Sequence, residues 1–377
     1  MKDFKIKSYR HEYEYKTLES IDLITKHLLD FENLDLIFVD SKVFDNHKQL
    51  KNLNPKKVFL IDVLPETKSI SKLEVILKVF IKFNLNKNSF VAIIGGATLQ
   101  DIVASACCLY HRGIKWIFVP TTGLSQGDSC IGSKTSIDGE GSKNQYGVFY
   151  PPSLILSCKQ FLFTLPIIEI YSGLGDILHY VAPYQKSKFF INNILQKFKN
   201  RDHLVNSCHN LSFEAMSIKA ELVEIDEFDQ SQRAIFNFGH TFGHALEKST
   251  KEYLPHGIAV LIGIYIALDL NKSQKSKVEI LNQKLLIENL LKNILTDMGL
   301  KNFHFSKKEI FDNLKKDKKN DSFHKIKCIL PVDINDSEWI SKKLEPIYGL
   351  KKFNLSINEC LTAVNQIANL ENVFLTG

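Results

Sequence analysis

Four short runs in the first third of the chain are apolar almost without interruption. They are "DLIFVD" (35–40), "KVFLID" (57–62), "FVAIIGG" (90–96) and "KWIFVPTT" (115–122). Continuous apolar runs of this length predict strands covered on both faces. Between the second and third, "SKLEVILKVFIKFNL" (71–85) places apolar residues at helical spacing, as "TLQDIVASACCLYHRG" (98–113) does between the third and fourth. Strand, helix and strand repeated over about thirty residues predict parallel βαβ units.

From about residue 158 the pattern lengthens. "SFEAMSIKAELVEID" (212–226), "RAIFNFGHTFGHALEKS" (233–249), "HGIAVLIGIYIALDLN" (256–271) and "KVEILNQKLLIENLLKNIL" (277–295) all read as helices. The expected fold is an α/β, Rossmann-like domain over 1–157 followed by a mostly α-helical domain over 158–377. A site is expected in the cleft between two such domains. A length of 377 residues agrees with two cores.

Composition changes little in this picture. Hydrophobic residues make up 44% and charged residues 24%, as in ordinary globular proteins. The net charge of +6 comes from lysines spread along the chain and forms no basic patch, so no nucleic-acid partner is expected. The run "KKDKKND" (315–321), taken alone, reads as a solvated turn. Seven cysteines without a C-x-x-C pair point to a reducing compartment. The charged N-terminus lacks an apolar signal core, and no apolar stretch reaches about 18 residues. A cytoplasmic protein without a membrane span is expected.

Candidate chemistry gathers at a few places. Gly95 and Gly96 end one strand and lead directly into a helix, a turn that lets backbone approach an anion at the helix N-terminus. Asp40 closes another strand, where a carboxylate can bind a ribose, and Thr121 and Thr122 close a third. The polar run 127–152 holds Asp128, Lys134, Lys143 and Asn144 without a helical or strand period. It is expected to be a loop, an ordinary surface one or one organised around an anion. Asp176 and His179 fall one turn apart. His240 and His244, at i and i+4, share a helix face, which leaves metal ligand, phosphate binder and core residue all open. With His256, Asp176 and His240 make a His/His/carboxylate set of the kind that holds a catalytic divalent ion, commonly zinc.

The chain resembles 3-dehydroquinate synthase and the wider sugar-phosphate cyclase family. The resemblance rests on "GGATLQD", "YHRG", "VPTTGLSQGDSCIGSKT", "GSKNQYGVFYPP", "SGLGDILHY", "KAELVEIDE", "RAIFNFGHTFGHALE", "HGIAV" and "KKDKKND", in the family's order over roughly residues 35–331. It implies NAD and a divalent metal, zinc or cobalt, held by Asp176, His240 and His256. His244 would then face the substrate phosphate. Asp128, Lys134, Lys143, Asn144, Lys219, Arg233 and Asn237 match substrate-contacting positions, and Lys134 and Lys143 also border the cofactor. Asp40, Lys68, Gly95, Gly96, Asp101, Thr121 and Thr122 match the NAD side. Lys318 matches a lysine that closes over the phosphate. Arg112 matches an arginine that reaches the neighbouring subunit, so a homodimer is implied. The implied substrate is a small phosphorylated sugar acid, cyclised with loss of phosphate and without net consumption of NAD.

Four positions depart from the family pattern. Ala97 stands for a glycine, Asp176 for a glutamate ligand, His179 for a substrate-contacting lysine and Ile258 for a glutamate. The segment between Asp176 and His240 is also shorter than usual. The departures keep three other readings open: a cyclase of a cyclitol or aminoshikimate pathway, a metal-dependent polyol dehydrogenase of the same superfamily, and a homologue without catalysis.

Overall fold

The structure, a computed structural model, describes residues 3–140, 142–250, 253–299, 307–315 and 325–356, with Asn358, Glu359 and Thr362. One unit comprises Met1–Leu165 with Val223–Phe228, and a second comprises Pro166–Leu222 with Asp229–Gly377.

The apolar runs of the first unit build one sheet. Its strands are β1 (Asp3–Ile6), β2 (Tyr13–Thr17), β3 (Leu34–Asp40), β4 (Val58–Ile61), β5 (Phe90–Gly95), β6 (Lys115–Pro120) and, after a hairpin described below, β9 (Leu154–Ser157). Their order is β1-β2-β9-β6-β5-β3-β4, parallel throughout except for the edge pair β1–β2. The helices are α1 (Ile21–Leu29), α2 (Ser41–Asn46), α3 (Ile70–Lys82) and α4 (Ala97–Leu109). Ser69 caps α3 through the Lys72 N–H, and Leu73, Ile76, Val79 and Phe80 bury its apolar stripe. All four predicted strands and both predicted helices of this region form, but β4, expected to be covered on both faces, is the edge strand of the sheet and is not buried, with Leu60 44% exposed. The chain steps outward from β3 to β4, returns by α3 to β5, and then proceeds the other way to β6 and β9. The direction therefore reverses between β3 and β5, and the crevice beyond their carboxyl ends is where ligands bind in open α/β sheets.

Two features of this unit differ from the pattern reading. The polar run expected to be a loop forms an antiparallel hairpin, β7 (Lys134–Gly139) and β8 (Ser142–Phe149), with Lys134 opposite Phe149. Only Thr135 and Ile137 are buried in β7, and β8 is exposed along almost all its length. A hairpin without a covered face leaves no apolar period to read. The charged N-terminus also supplies β1 and β2, where alternate residues Tyr13 and Tyr15 are buried. Val223–Phe228 belongs here because Glu224 accepts from the Lys7 N–H, and Glu227 from Ser8 Oγ and the Tyr9 N–H.

The second unit is mostly helical, as expected. It contains α5 (Ile167–Val181), α6 (Gln185–Gln196), α7 (Arg201–Ile225, whose last residues count with the first unit), α8 (His240–Ser249), α9 (His256–Asp269), α10 (Lys277–Asp297) and α11 (Lys307–Lys315). A two-stranded pair, β10 (Ile326–Val332) with β11 (Gly349–Leu355), completes it. From Gly257 to Leu268 every residue of α9 is buried, so this helix, apolar on all sides, is the core of the unit. The run 233–249, read as one helix, is two pieces. A 3₁₀ turn spans Gln232–Asn237, Gly239 adopts φ +79°, and α8 begins at His240. A Cβ at Gly239 would lie 2.6 Å from Ile264 Cγ1, so both the left-handed backbone and the space favour glycine. Among the described residues no helix is long and apolar enough to cross a membrane.

Candidate active site

In the first unit the strand ends bring the predicted cofactor residues together. Gly95 ends β5 beside Asp40, whose Cβ lies 3.6 Å from where a Gly95 side chain would begin. Gly96 is the N-cap of α4 and has no side chain to bond the helix's first N–H groups. Ala97 is the first residue of α4. Thr122 packs on Gly96, and the Thr121 N–H donates to Gly95 O at 3.1 Å. Thr122 and Ser125 are joined by four hydrogen-bond contacts through side chain and backbone, which sets the turn carrying Asp128. Asp40 Oδ1 accepts from the Lys42 N–H at 2.9 Å. Burial raises the Asp40 pKa, and N–H groups of Lys42 and Val43 offset part of that rise.

A second group in this unit joins Lys68, Asp101 and Asn144. Lys68 Nζ donates to Asp101 Oδ2 at 2.6 Å and to Asn144 Oδ1 at 2.5 Å. Burial raises the Asp101 pKa, and Lys68 partly offsets it. Lys134, Lys143 and Asn144 are exposed on the β7–β8 hairpin. Arg112 is exposed in a strained stretch, with φ +51° at His111 and +67° at Arg112. Its carbonyl accepts from Arg10 Nη2 at 2.9 Å, and the Arg10 guanidinium lies over the Tyr150 ring.

In the second unit three histidines converge. Atoms of His240, His244 and His256 that can bind a metal lie within 4.8 Å of one another. The ring centroids form a nearly equilateral triangle: 5.4 Å for His240–His244 and 5.5 Å for each of the other pairs. Asp176, 1% exposed, brings Oδ1 to 3.5 Å from His256 Nε2. His256 Nδ1 lies 2.9 Å from Glu247 Oε2. A tautomer with its proton on Nδ1, toward Glu247, would turn the His256 Nε2 lone pair toward Asp176, and a cation between the two would satisfy both. Three imidazoles and a carboxylate form a donor set that fits zinc or cobalt.

Close helix approach makes the convergence possible. A Cβ at Gly257 would sit 1.8 Å from Ser172 O and 2.8 Å from Asp176 Oδ2, so α9 meets α5 backbone to backbone at this point. His256, one residue earlier, is thereby set against Asp176. His179, 3% exposed, packs edge-on to His240 at 4.7 Å between centroids and lies 3.8 Å from Tyr180. Lys219 and Arg233 are buried, with Lys219 Nζ 5.7 Å from the Tyr180 ring. Asn237 donates to Ala234 O and lines a cavity of about 290 Å³ with Thr241, Lys327 and Lys352. Ile258 is fully buried. Lys318 lies outside the described residues.

Among the described residues, Glu247 is a functional candidate the motif reading passed over. It falls three residues after His244 and seven after His240, so helical spacing alone places it on their face.

The model of the 3-dehydroquinate synthase N-terminal family matches residues 59–172, and that of the C-terminal family matches residues 173–320. A curated 3-dehydroquinate synthase of Helicobacter pylori (strain HPAG1) is 34% identical over 322 residues, covering 83% of this chain and 89% of that protein. The chain belongs to the 3-dehydroquinate synthase family. That family eliminates phosphate, and its membership makes this chain an enzyme. Among solved structures, a 2-deoxy-scyllo-inosose synthase complexed with carbaglucose-6-phosphate, NAD+ and Co2+ superposes with a TM-score of 0.77 at 18% identity, covering 97% of this chain and 100% of that one. The 2-epi-5-epi-valiolone synthase ValA of Streptomyces hygroscopicus subsp. jinggangensis 5008, with NAD+ and Zn2+ bound, gives 0.73 at 19%, covering 95% and 97%. At these identities the likeness establishes the 3-dehydroquinate synthase type of fold.

Proposed function

We propose that the chain is a 3-dehydroquinate synthase, converting 3-deoxy-D-arabino-heptulosonate 7-phosphate to 3-dehydroquinate and phosphate. The observation that carries this reading is the His240–His244–His256 triangle with the Asp176 carboxylate against it, in a member of this family. NAD and a divalent ion, when bound, supply reversible hydride acceptance and polarisation of a substrate hydroxyl. Asp40, Gly95, Gly96, Thr121 and Thr122 would hold the dinucleotide at the strand ends of the first unit. In the second unit Asp176, His240 and His256 would hold the ion, and Glu247 keeps the His256 proton on Nδ1 so that Nε2 can ligate. His244 is left to meet the phosphate. Arg233 presents a planar guanidinium suited to a carboxylate, with Lys219 as a further cation. The reading includes a cytoplasmic homodimer in which Arg112 serves the neighbouring copy.

Arg233 decides between this substrate and a neutral sugar phosphate, which offers no carboxylate to pair. A charge-assisted contact is worth about 1.5–3 kcal/mol, so Arg233→Ala should lower kcat/KM for the acid by roughly tenfold to a hundredfold or more. The test is phosphate release from the acid and from sedoheptulose 7-phosphate, with wild type and Arg233→Ala. Equal cyclisation of both sugars by the wild type, or an unchanged preference in Arg233→Ala, would overturn the assignment.

A further inference from the structure

Three successive residues after α4 carry positive φ: His111 at +51°, Arg112 at +67° and Gly113 at +122°. Glycine takes such angles freely, but a histidine and an arginine side by side in the left-handed region are strained. Strain of this kind persists only where the surroundings over-determine it. Here the Gly113 N–H donates to Tyr110 O at 2.9 Å, Tyr150 Oη donates to Ile114 O at 2.7 Å, and Arg10 Nη2 donates to Arg112 O at 2.9 Å. A Cβ at Gly113 would lie 3.0 Å from Tyr150 Oη and 3.1 Å from Arg10 Nη2, so both side chains close directly on the backbone. The Arg10 guanidinium also lies 4.7 Å from the centre of the Tyr150 ring, a cation–π contact. Of these groups, Arg10 is the one that bonds the Arg112 peptide.

Arg10 is itself anchored from both sides. The Ser8 hydroxyl and the Tyr9 N–H donate to the two oxygens of Glu227 at 2.7 and 2.8 Å. The Lys7 N–H donates to Glu224 at 2.8 Å, and His11 Nε2 lies 3.0 Å from Pro152 O. The turn between β1 and β2 thus presents one guanidinium to one carbonyl. The Arg112 side chain, by contrast, is exposed, and among the described residues it makes no hydrogen bond or ion pair. A fixed backbone under an uncommitted guanidinium preorganises that cation for an anionic oxygen from outside the chain. We propose that Arg10 is a positioning residue for Arg112, holding the left-handed backbone from which Arg112 reaches a substrate anion. The proposal rests on Arg112 serving the neighbouring copy, as the reading above has it.

The experiment uses the full-length protein with Arg10→Gln, Arg10→Lys, Arg112→Gln and the Arg10→Gln/Arg112→Gln pair, assayed by phosphate release from the acid sugar phosphate. Arg10→Gln should lower kcat/KM about three- to tenfold, the worth of one exposed hydrogen bond. The pair should be no worse than Arg112→Gln alone, because nothing is left for Arg10 to position. Arg10→Lys keeps a donor for the carbonyl and should recover most of the loss. The NAD dissociation constant and the metal content should stay within about twofold in all four. Additive losses in the pair, or a wild-type kcat/KM in Arg10→Gln beside an impaired Arg112→Gln, would overturn the proposal and leave the reading of Arg112 standing. An Arg112→Gln enzyme as active as the wild type would overturn that reading and the proposal with it. A readout without substrate isolates the clamp. Exchange of the Gly113 and Ile114 amides, followed by mass in peptides covering 109–115, should quicken in Arg10→Gln and return toward wild type in Arg10→Lys. Exchange indifferent to Arg10 refutes the positioning role whatever Arg112 proves to serve.

Discussion

At the scale of single residues, the second unit poses a choice among three nearly equivalent imidazoles. His244 stands as close to His240 and His256 as they stand to each other, so distance does not separate ligand from phosphate partner. Asp176 favours His256, and the resemblance pairs that residue with His240. Asp176→Ala and His256→Ala should each lose the divalent ion by elemental analysis, whereas His244→Ala should keep it and lose turnover. An ion lost with His244 would make all three histidines ligands. Glu247→Gln should weaken the ion about tenfold to a hundredfold, since an amide no longer holds the His256 tautomer as a carboxylate does. His47 offers a pH test away from the site. It is buried, 3.1 Å from Thr164 Oγ1 and edge-on to Phe161, and burial lowers its pKa from 6.5. The unfolded chain therefore binds a proton that the fold resists, so stability present above pH 6.5 is lost as pH falls below it. One such group contributes a slope of at most about 1.4 kcal/mol per pH unit. His27 is pushed the same way by burial and Lys16, so His47→Gln should flatten the urea midpoint between pH 7 and 5 only in part. An unaltered slope in that variant would remove His47 from the account.

At the scale of elements, the close contact of α5 with α9 is the most exposed to a single substitution. Gly257→Ala would set a methyl carbon 1.8 Å from Ser172 O, and neither backbone can turn aside as a side chain could. The helices must part, at a cost of about 1–3 kcal/mol or more, and Asp176 and His256 part with them. Lower thermal stability together with loss of the ion is expected; a variant of wild-type stability and metal content would contradict the packing. This contact also explains what the sequence could not disclose. His240 and His244 were legible as neighbours from their i, i+4 spacing, but the arrival of His256 and Asp176 depends on how near two backbones come, which no linear spacing records. β3, β5 and β6 were legible because a sheet covered on both faces demands continuous apolar runs. The β7–β8 hairpin was not, since β8 lies exposed and carries no such signal. Glu247 was legible in principle, at helical spacing from both histidines of α8.

At the scale of the whole molecule, the proposed reading gives the two units different ligand chemistry. All the candidate metal ligands lie in the second, and the strand-end residues assigned to the dinucleotide lie in the first. A ligand that binds only the folded state stabilises what it binds, by about 2.7 kcal/mol at a hundredfold excess over its dissociation constant. Hydrogen exchange followed by peptide mass therefore gives each ligand an address. Removing the divalent ion with a chelator should speed exchange in peptides from α5 and α8 and from the N-terminal turn of α9. Adding NAD should slow it at the carboxyl ends of β3, β5 and β6 and in the first turn of α4, where the proposed reading puts the pyrophosphate. The interior of α9, buried on every side, should exchange slowly in either state and so serve as the internal reference. Protection by NAD confined to α8, or chelator effects confined to the sheet, would reverse the division of chemistry between the units.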